Sequence, residues 1–175
     1  MFKRILIANR GEIAVRIIRT FQELGIEAVA VYSNVDSTSL HVQLADHAVC
    51  IGPAKAADSY LNMKNILSVE TALGCDAIHP GFGFLSENST FARLVEECGI
   101  TFIGPSGDVI DMMGNKSMAR QKMIEAGVPV VPGSDGSVNT LQEAKEVANQ
   151  IGYPVLITAS AGGGGRGMRK AFSEE

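Results

Sequence analysis

No apolar run in this chain approaches the roughly 20 residues that a membrane-spanning helix needs. No basic block stands out either: 15 Lys and Arg against 19 Asp and Glu leave a net charge of -4, which points away from a nucleic-acid surface. Cysteine is scarce and odd in number. Cys50, Cys75 and Cys98 are widely spaced in apolar contexts and make neither a metal pattern nor a disulfide framework, so reduced core cysteines in a cytoplasmic protein are expected. Internal repeats and low-complexity linkers are missing too. The opening Met1-Phe-Lys-Arg-Ile-Leu-Ile7 leads straight into a polar turn and reads as a strand, not a signal peptide. What is present is 175 residues, 46% hydrophobic, enough for one domain or one domain plus part of another.

One stretch carries chemistry. Thr158-Ala-Ser-Ala-Gly-Gly-Gly-Gly-Arg-Gly-Met-Arg-Lys170 sits between an apolar run, 153–157, and a candidate return strand, 167–172. Gly162 to Gly165 accept almost any backbone angle, so several N–H groups can converge on one anion. Arg166, Arg169 and Lys170 add positive charge. No Gly-Lys-Ser/Thr follows, so this is not the P-loop pattern, and it is not G-x-G-x-x-G opening a helix. A flexible glycine hairpin with no ligand is the alternative.

Taken in order, Arg4 to Ala8 is a strand, and Asn9 followed three positions later by Glu12 has the capping-box pattern. The helix is expected to run to about Leu24, with Ile13, Ile17, Phe21 and Leu24 on one face and Gly25 as its cap. Residues 27–32 complete a βαβ unit whose two strands must be parallel. A short helix opens at 36–41, and 47–51 is a third strand. Residues 60–73 read as a helix, and 76–79 as a fourth strand ended by Pro80. The loop His79-Pro-Gly-Phe-Gly-Phe-Leu-Ser-Glu-Asn88 follows, with Ser86 as a candidate cap. It stands at the strand end where open parallel sheets bind ligands. Its alternative is a tight turn with Phe82 and Phe84 as core plugs. Helix 91–98, strand 101–103 and a turn at Gly104 complete an α/β domain with a mainly parallel sheet. Asn9, His79 and Gly104 are expected at one edge of that sheet. A second region starts near Gly114, with a helix at 115–125, a proline-pinned strand at 126–132, and a capping box at Thr140 and Glu143 opening a helix to about Gln150.

Six motifs in this order resemble the amino-terminal part of biotin carboxylase: residues 7–14, 79–88, 102–105, 113–116, 128–135 and the glycine loop. The resemblance implies a Rossmann-like pre-ATP-grasp domain over 1–114. It implies the start of an ATP-grasp domain, with a mobile lid carrying the glycine loop, over 115–175. The implied reaction has two steps: bicarbonate attacks the γ-phosphate of Mg-bound ATP to give carboxyphosphate, and the carboxyl group passes to biotin on a carrier domain. In that setting Lys116 contacts ATP phosphate and Gly164 and Gly165 are lid contacts. Arg16, Arg19 and Glu23 occupy homodimer-interface positions, and a carboxyltransferase is a further partner. Acetyl-CoA carboxylase in fatty acid biosynthesis is the expected parent, with pyruvate and propionyl-CoA carboxylases as the alternatives, because acceptor choice lies in other domains.

Two positions depart from the pattern. The family carries an ATP-binding lysine where this chain has Thr158, and tyrosine is commoner where this chain has Phe82. The family's Mg-binding glutamates and its bicarbonate-handling residues lie beyond residue 175, so no catalytic residue is assigned within the chain. The 175 residues alone are expected to be inactive. A non-catalytic nucleotide-binding or dimerisation fragment is the competing reading, favoured by the loss of lysine at 158.

Overall fold

In the first strand, β1 (Arg4–Ile7), Ile5 and Ile7 point to one face and Leu6 to the other, and all three are buried. A strand apolar on both faces must lie inside a sheet covered on both sides. The computed structural model, which describes residues 2–134, 136–159 and 167–174, places β1 at the centre. It pairs in parallel with β2 (Glu27–Ser33) and with β4 (Ala77–His79). β3 (His47–Gly52) and β5 (Thr101–Phe102) close the two edges, also in parallel, giving the order β3-β2-β1-β4-β5.

The helices divide between the faces as the alternation requires. On one face Ile5, Ile7, Ala28 and Ala77 meet Ala14, Ile18 and Phe21 of α1 (Gly11–Glu23), with Leu44 of α2 (Leu40–Leu44) beside them. On the other, Leu6, Val29, Val31 and Ile78 pack on three further helices. These are α3 (Met63–Leu73), α4 (Ser89–Glu97) and α5 (Gly107–Gly114), which contribute Ile66, Phe91 and Ile110.

Several local expectations are corrected. The buried stripe of α1 is Ala14, Val15, Ile18 and Phe21, while Leu24 is exposed: a small residue, Ala14, marks the true phase. Asn9 does not cap α1, because its side-chain amide is drawn 71 residues along the chain (below). Asn62 caps α3 by accepting from the Asn65 amide, so that helix starts at Met63 rather than residue 60. Asn88, not Ser86, caps α4, accepting from the Phe91 amide at 2.8 Å. The alternative reading of the 79–88 loop, with Phe82 and Phe84 as core plugs, does not hold, since both are exposed. Of the cysteines only Cys75 is buried; Cys50 and Cys98 are exposed. Helix α5 was not foreseen.

The chain divides into two compact units, Met1–Ile110 and Asp111–Glu175. The second holds α6 (Lys116–Glu125), α7 (Leu141–Ile151) and a hairpin of β6 (Val155–Ile157) antiparallel to β7 (Arg169–Ala171). Thr140 caps α7, its hydroxyl accepting from the Glu143 amide, while the Glu143 carboxylate reaches back to the Asn139 amide. The strand expected over 126–132 does not form. Pro129 and Pro132 lack the N–H a ladder needs, and the segment pairs with no strand among the described residues. Lys145 and Asn149 of α7 hold the carboxylate of Glu174, just past the hairpin.

Candidate functional site

Within the second unit, α6, the segment after it, α7 and β6 enclose a cavity of about 1070 Å³, lined among others by Lys116, Arg120, Pro132, Ser137, Val155 and Thr158. That is room for a nucleotide-sized ligand. The Asn115 side-chain oxygen accepts from the amides of Ser117 and Met118, fixing the first turn of α6. Lys116, the first helical residue, then reaches across the unit, and its ammonium donates to the Ala159 carbonyl at 3.2 Å. An ammonium has three donors, so this bond leaves capacity for an anion in the cavity.

The structure thus brings two sequence-predicted positions to one end of one cavity. Thr158 leaves β6 immediately before the carbonyl that Lys116 holds. It offers a hydroxyl and no charge. Gly164 and Gly165 lie outside the described residues. Arg120 was not singled out from the sequence. Its guanidinium donates to the carbonyls of Ser134 and Val131, tying α6 to the lining segment after it. Only its charge and helical position were visible beforehand, and its partners sit 11 and 14 residues on. Arg16, Arg19 and Glu23 are exposed along the solvent side of α1, where Arg16 donates to the Thr20 hydroxyl at 2.7 Å.

The first unit presents a second cluster. Strands β1, β4 and β5 run parallel, so Asn9, His79 and Gly104, at or just beyond their carboxyl ends, share one sheet edge. Between β1 and β4 the strand order reverses, which is where open sheets of this type bind ligands. Here the 80–84 loop occupies that position. Fully buried Asn9 donates through its amide nitrogen to the carbonyls of Pro80 (2.8 Å) and Phe82 (2.9 Å). The Gly81 amide donates to Nδ1 of His79 at 3.0 Å, which places that ring's proton on Nε2; burial lowers the His79 pKa and keeps it neutral. A Cβ at Gly81 would meet Asn9 and Ile13 side-chain atoms at 2.7 Å, so only glycine fits.

Beside the loop, Asp36 Oδ2 accepts from the Tyr60 hydroxyl (2.6 Å), the Ser33 hydroxyl (2.9 Å) and Arg10 (3.2 Å). Burial alone would raise the Asp36 carboxyl. The two hydrogen bonds and the Arg10 charge outweigh it and hold the group below the ordinary carboxylate range. Burial, reinforced by Asp36, pushes Tyr60 up to about 12. Among the described residues, no group of three or more His, Cys, Asp or Glu could hold a metal ion.

Comparison with known proteins accounts for both units. A family model described as biotin carboxylase, N-terminal domain, matches residues 1–110, and one described as carbamoyl-phosphate synthase L chain, ATP binding domain, matches 115–175. Biotin carboxylase 1 of Bacillus subtilis is 61% identical over 175 residues, covering 100% of this chain and 39% of that protein. The 2-oxoglutarate carboxylase small subunit of Hydrogenobacter thermophilus is 55% identical over 100% of this chain and 37% of its own length. Among solved structures, biotin carboxylase of Campylobacter jejuni in a β,γ-ATP complex superposes with a TM-score of 0.94 at 49% identity, covering 99% of this chain and 39% of that one. The biotin carboxylase domain dimer of the H. thermophilus enzyme, in complex with MgADP, ADP and bicarbonate, gives 0.91 at 55% identity, over 99% and 38% of the two chains. The chain therefore spans about two fifths of the length of the relatives it matches.

Proposed function

The chain belongs to the biotin carboxylase family, whose N-terminal-domain model matches residues 1–110, and from that premise we propose that it supplies the nucleotide-facing part of an ATP- and bicarbonate-dependent biotin carboxylase. The observation that carries the reading is the Lys116 ammonium, held at the end of β6 inside a cavity large enough for ATP. Its part is to hold a phosphate oxygen and offset the negative charge that builds on the transferred phosphoryl group. Gly164 and Gly165 are proposed as backbone contacts to the same phosphates. Bound Mg would neutralise charge on the phosphates. The described residues hold no cluster that fits that ion, and its ligands are proposed to lie in the length of the relatives that this chain does not span.

The proposed setting is a cytoplasmic acetyl-CoA carboxylase serving fatty acid biosynthesis. A biotin carboxyl carrier domain and a carboxyltransferase are its partners, and a homodimer forms through Arg16, Arg19 and Glu23. No helix of the described residues is long and apolar enough to cross a membrane. A biotin carboxylase domain dimer among the similar structures supports the oligomer.

A second reading, a nucleotide-binding or dimerisation module without catalysis, is favoured by Thr158. Two measurements separate them. Titration of the 175-residue chain with ATP should show binding that weakens about tenfold or more in Lys116→Met, since a hydrogen bond to a charged group contributes about 1.5–3 kcal/mol. Equal binding in the two sinks the cavity assignment. Bicarbonate-dependent phosphate release should be absent from the 175 residues alone. In a full-length carboxylase carrying these residues it should appear and rise with biotin; its absence there selects the second reading.

A further inference from the structure

We propose that Arg120 is a positioning residue of the nucleotide cavity: its guanidinium holds residues 131–134 as a fixed wall and thereby sets the affinity for ATP. This rests on the reading of that cavity as the ATP site. The wall has little of its own to hold it. Among the described residues, no peptide group from 129 to 134 makes a backbone–backbone hydrogen bond. Pro129 and Pro132 have no amide proton to offer. Yet Val131, Pro132, Gly133 and Ser134 all line the cavity. A stretch without main-chain bonds samples many conformations unless side chains fix it.

Arg120 supplies that restraint. Its Nε donates to the Ser134 carbonyl at 3.2 Å and its Nη1 to the Val131 carbonyl. Gly133, between them, lies against the guanidinium: a Cβ placed there would stand 3.7 Å from the central guanidinium carbon. The turn from 131 to 134 is thus wrapped around one rigid planar fork, which an ammonium on a flexible stem cannot reproduce. The Ser134 hydroxyl extends the restraint by donating to the Gly136 carbonyl at 2.7 Å. Arg120 stands one helical turn beyond Lys116, on the same face of α6. From that face one cation reaches the residue after Thr158 and the other the segment after the helix, so α6 ties two parts of the lining together. With these N–H groups committed to carbonyls, Arg120 acts through the wall and not on the phosphoryl group being transferred. A loosened wall must be ordered again by each nucleotide that binds, which weakens ground state and transition state alike. That raises KM and leaves kcat in place.

Two variants separate the fork from the charge. Arg120→Lys keeps the charge and loses the fork, whereas Arg120→Met keeps the stem and loses both. In the 175-residue chain, affinity for ATP should fall about tenfold in each, the scale of one hydrogen bond to a charged group. Full affinity in Arg120→Lys would mean that charge alone suffices and overturns the positioning role. Amide nitrogen relaxation should show the order parameters of Gly133 and Ser134 fall from ~0.85 to below ~0.6 in both variants, with that of Ala148 in α7 unchanged. A fall shared by Ala148 would mean that the whole unit has loosened, and it overturns the local tie, as does no fall at all. In a full-length carboxylase, Arg120→Lys should raise KM for ATP about tenfold, with kcat and KM for bicarbonate within about twofold. A loss of kcat at unchanged KM for ATP overturns the proposal too. If the unmutated chain binds no ATP, the cavity reading fails and the proposal with it. If it binds ATP and Arg120→Lys binds equally well, the proposal alone fails.

Discussion

Residues 1–110 and 111–175 are built on opposite plans. In the first unit, two apolar clusters sandwich a five-stranded sheet, and Leu6, Ile7, Ile18, Ile66 and Ile78 are all completely excluded from water. In the second, Ala148 is the one buried hydrophobic residue among the described residues, while Leu141, Leu156, Ile157 and Val131 are exposed. Burial of apolar area is what offsets chain entropy, so the first unit can hold itself together. The second is organised by caps, a short hairpin and polar ties around a cavity. The larger unit is organised by its apolar core, and the smaller one by polar ties around its cavity.

The sharpest way to break that comparison is to separate the units. Residues 1–110 alone should unfold in one cooperative thermal transition. Residues 111–175 alone should show none by circular dichroism. A cooperative transition in the shorter piece would refute the contrast drawn from burial. Next in size are paired truncations. Ile78→Ala, in the sheet centre, should cost about 2–5 kcal/mol, whereas Leu141→Ala, at 75% exposure, should stay within about 0.5 kcal/mol. Urea midpoints read both.

A third test concerns affinity rather than stability. Thr158→Lys places a second ammonium beside Lys116 and should tighten ATP binding by roughly tenfold to a hundredfold, with no gain in the stability of residues 1–110. Equal titration curves for the two chains would show that position 158 is not a phosphate contact.

The smallest effect is a pH dependence confined to the first unit, because all three histidines of the chain lie there. Burial lowers the pKa of His41 and of His79 from 6.5, so each is held neutral in the fold. An unfolded chain binds those protons first. Their contribution is therefore complete above pH 6.5 and is lost as pH falls through the depressed values. Asp36, depressed from 3.8, adds a further loss at lower pH. Calorimetry between pH 7.5 and 5.5 should show the midpoint of residues 1–110 fall by a few degrees, about 4–8 °C for each 1 kcal/mol lost. A flat profile would mean that neither imidazole resists protonation.

The five parallel strands were legible to within a residue or two, because each is a short apolar run stopped by Gly, Pro or a polar turn. So was the parallel run of the strands, which brings Asn9, His79 and Gly104 to one sheet edge. What sequence reading missed was long-range chemistry. Asn9 looks like a helix cap until its partners at 80 and 82 are brought beside it, and Asp36 and Tyr60 lie 24 positions apart with nothing local to join them. Of the two readings of the 79–88 loop, the one with Phe82 and Phe84 as core plugs falls, because both rings are exposed. At the candidate site, Lys116 and Thr158 came from resemblance alone. The Lys116 to Ala159 bond spans 43 residues and belongs to tertiary structure.

The central place of β1 also sets the order in which the protein can assemble. As the chain is made, Arg4–Ile7 is the first strand available, yet one of its two neighbours, Ala77–His79, follows only after some seventy more residues. The intervening strands can pair on one flank alone, leaving the other row of peptide groups open in the meantime. Closing so long a loop slows folding more than it weakens the product. A nascent chain that has reached β3 but not β4 thus carries an exposed apolar strand edge, the kind of surface chaperones and neighbouring chains capture.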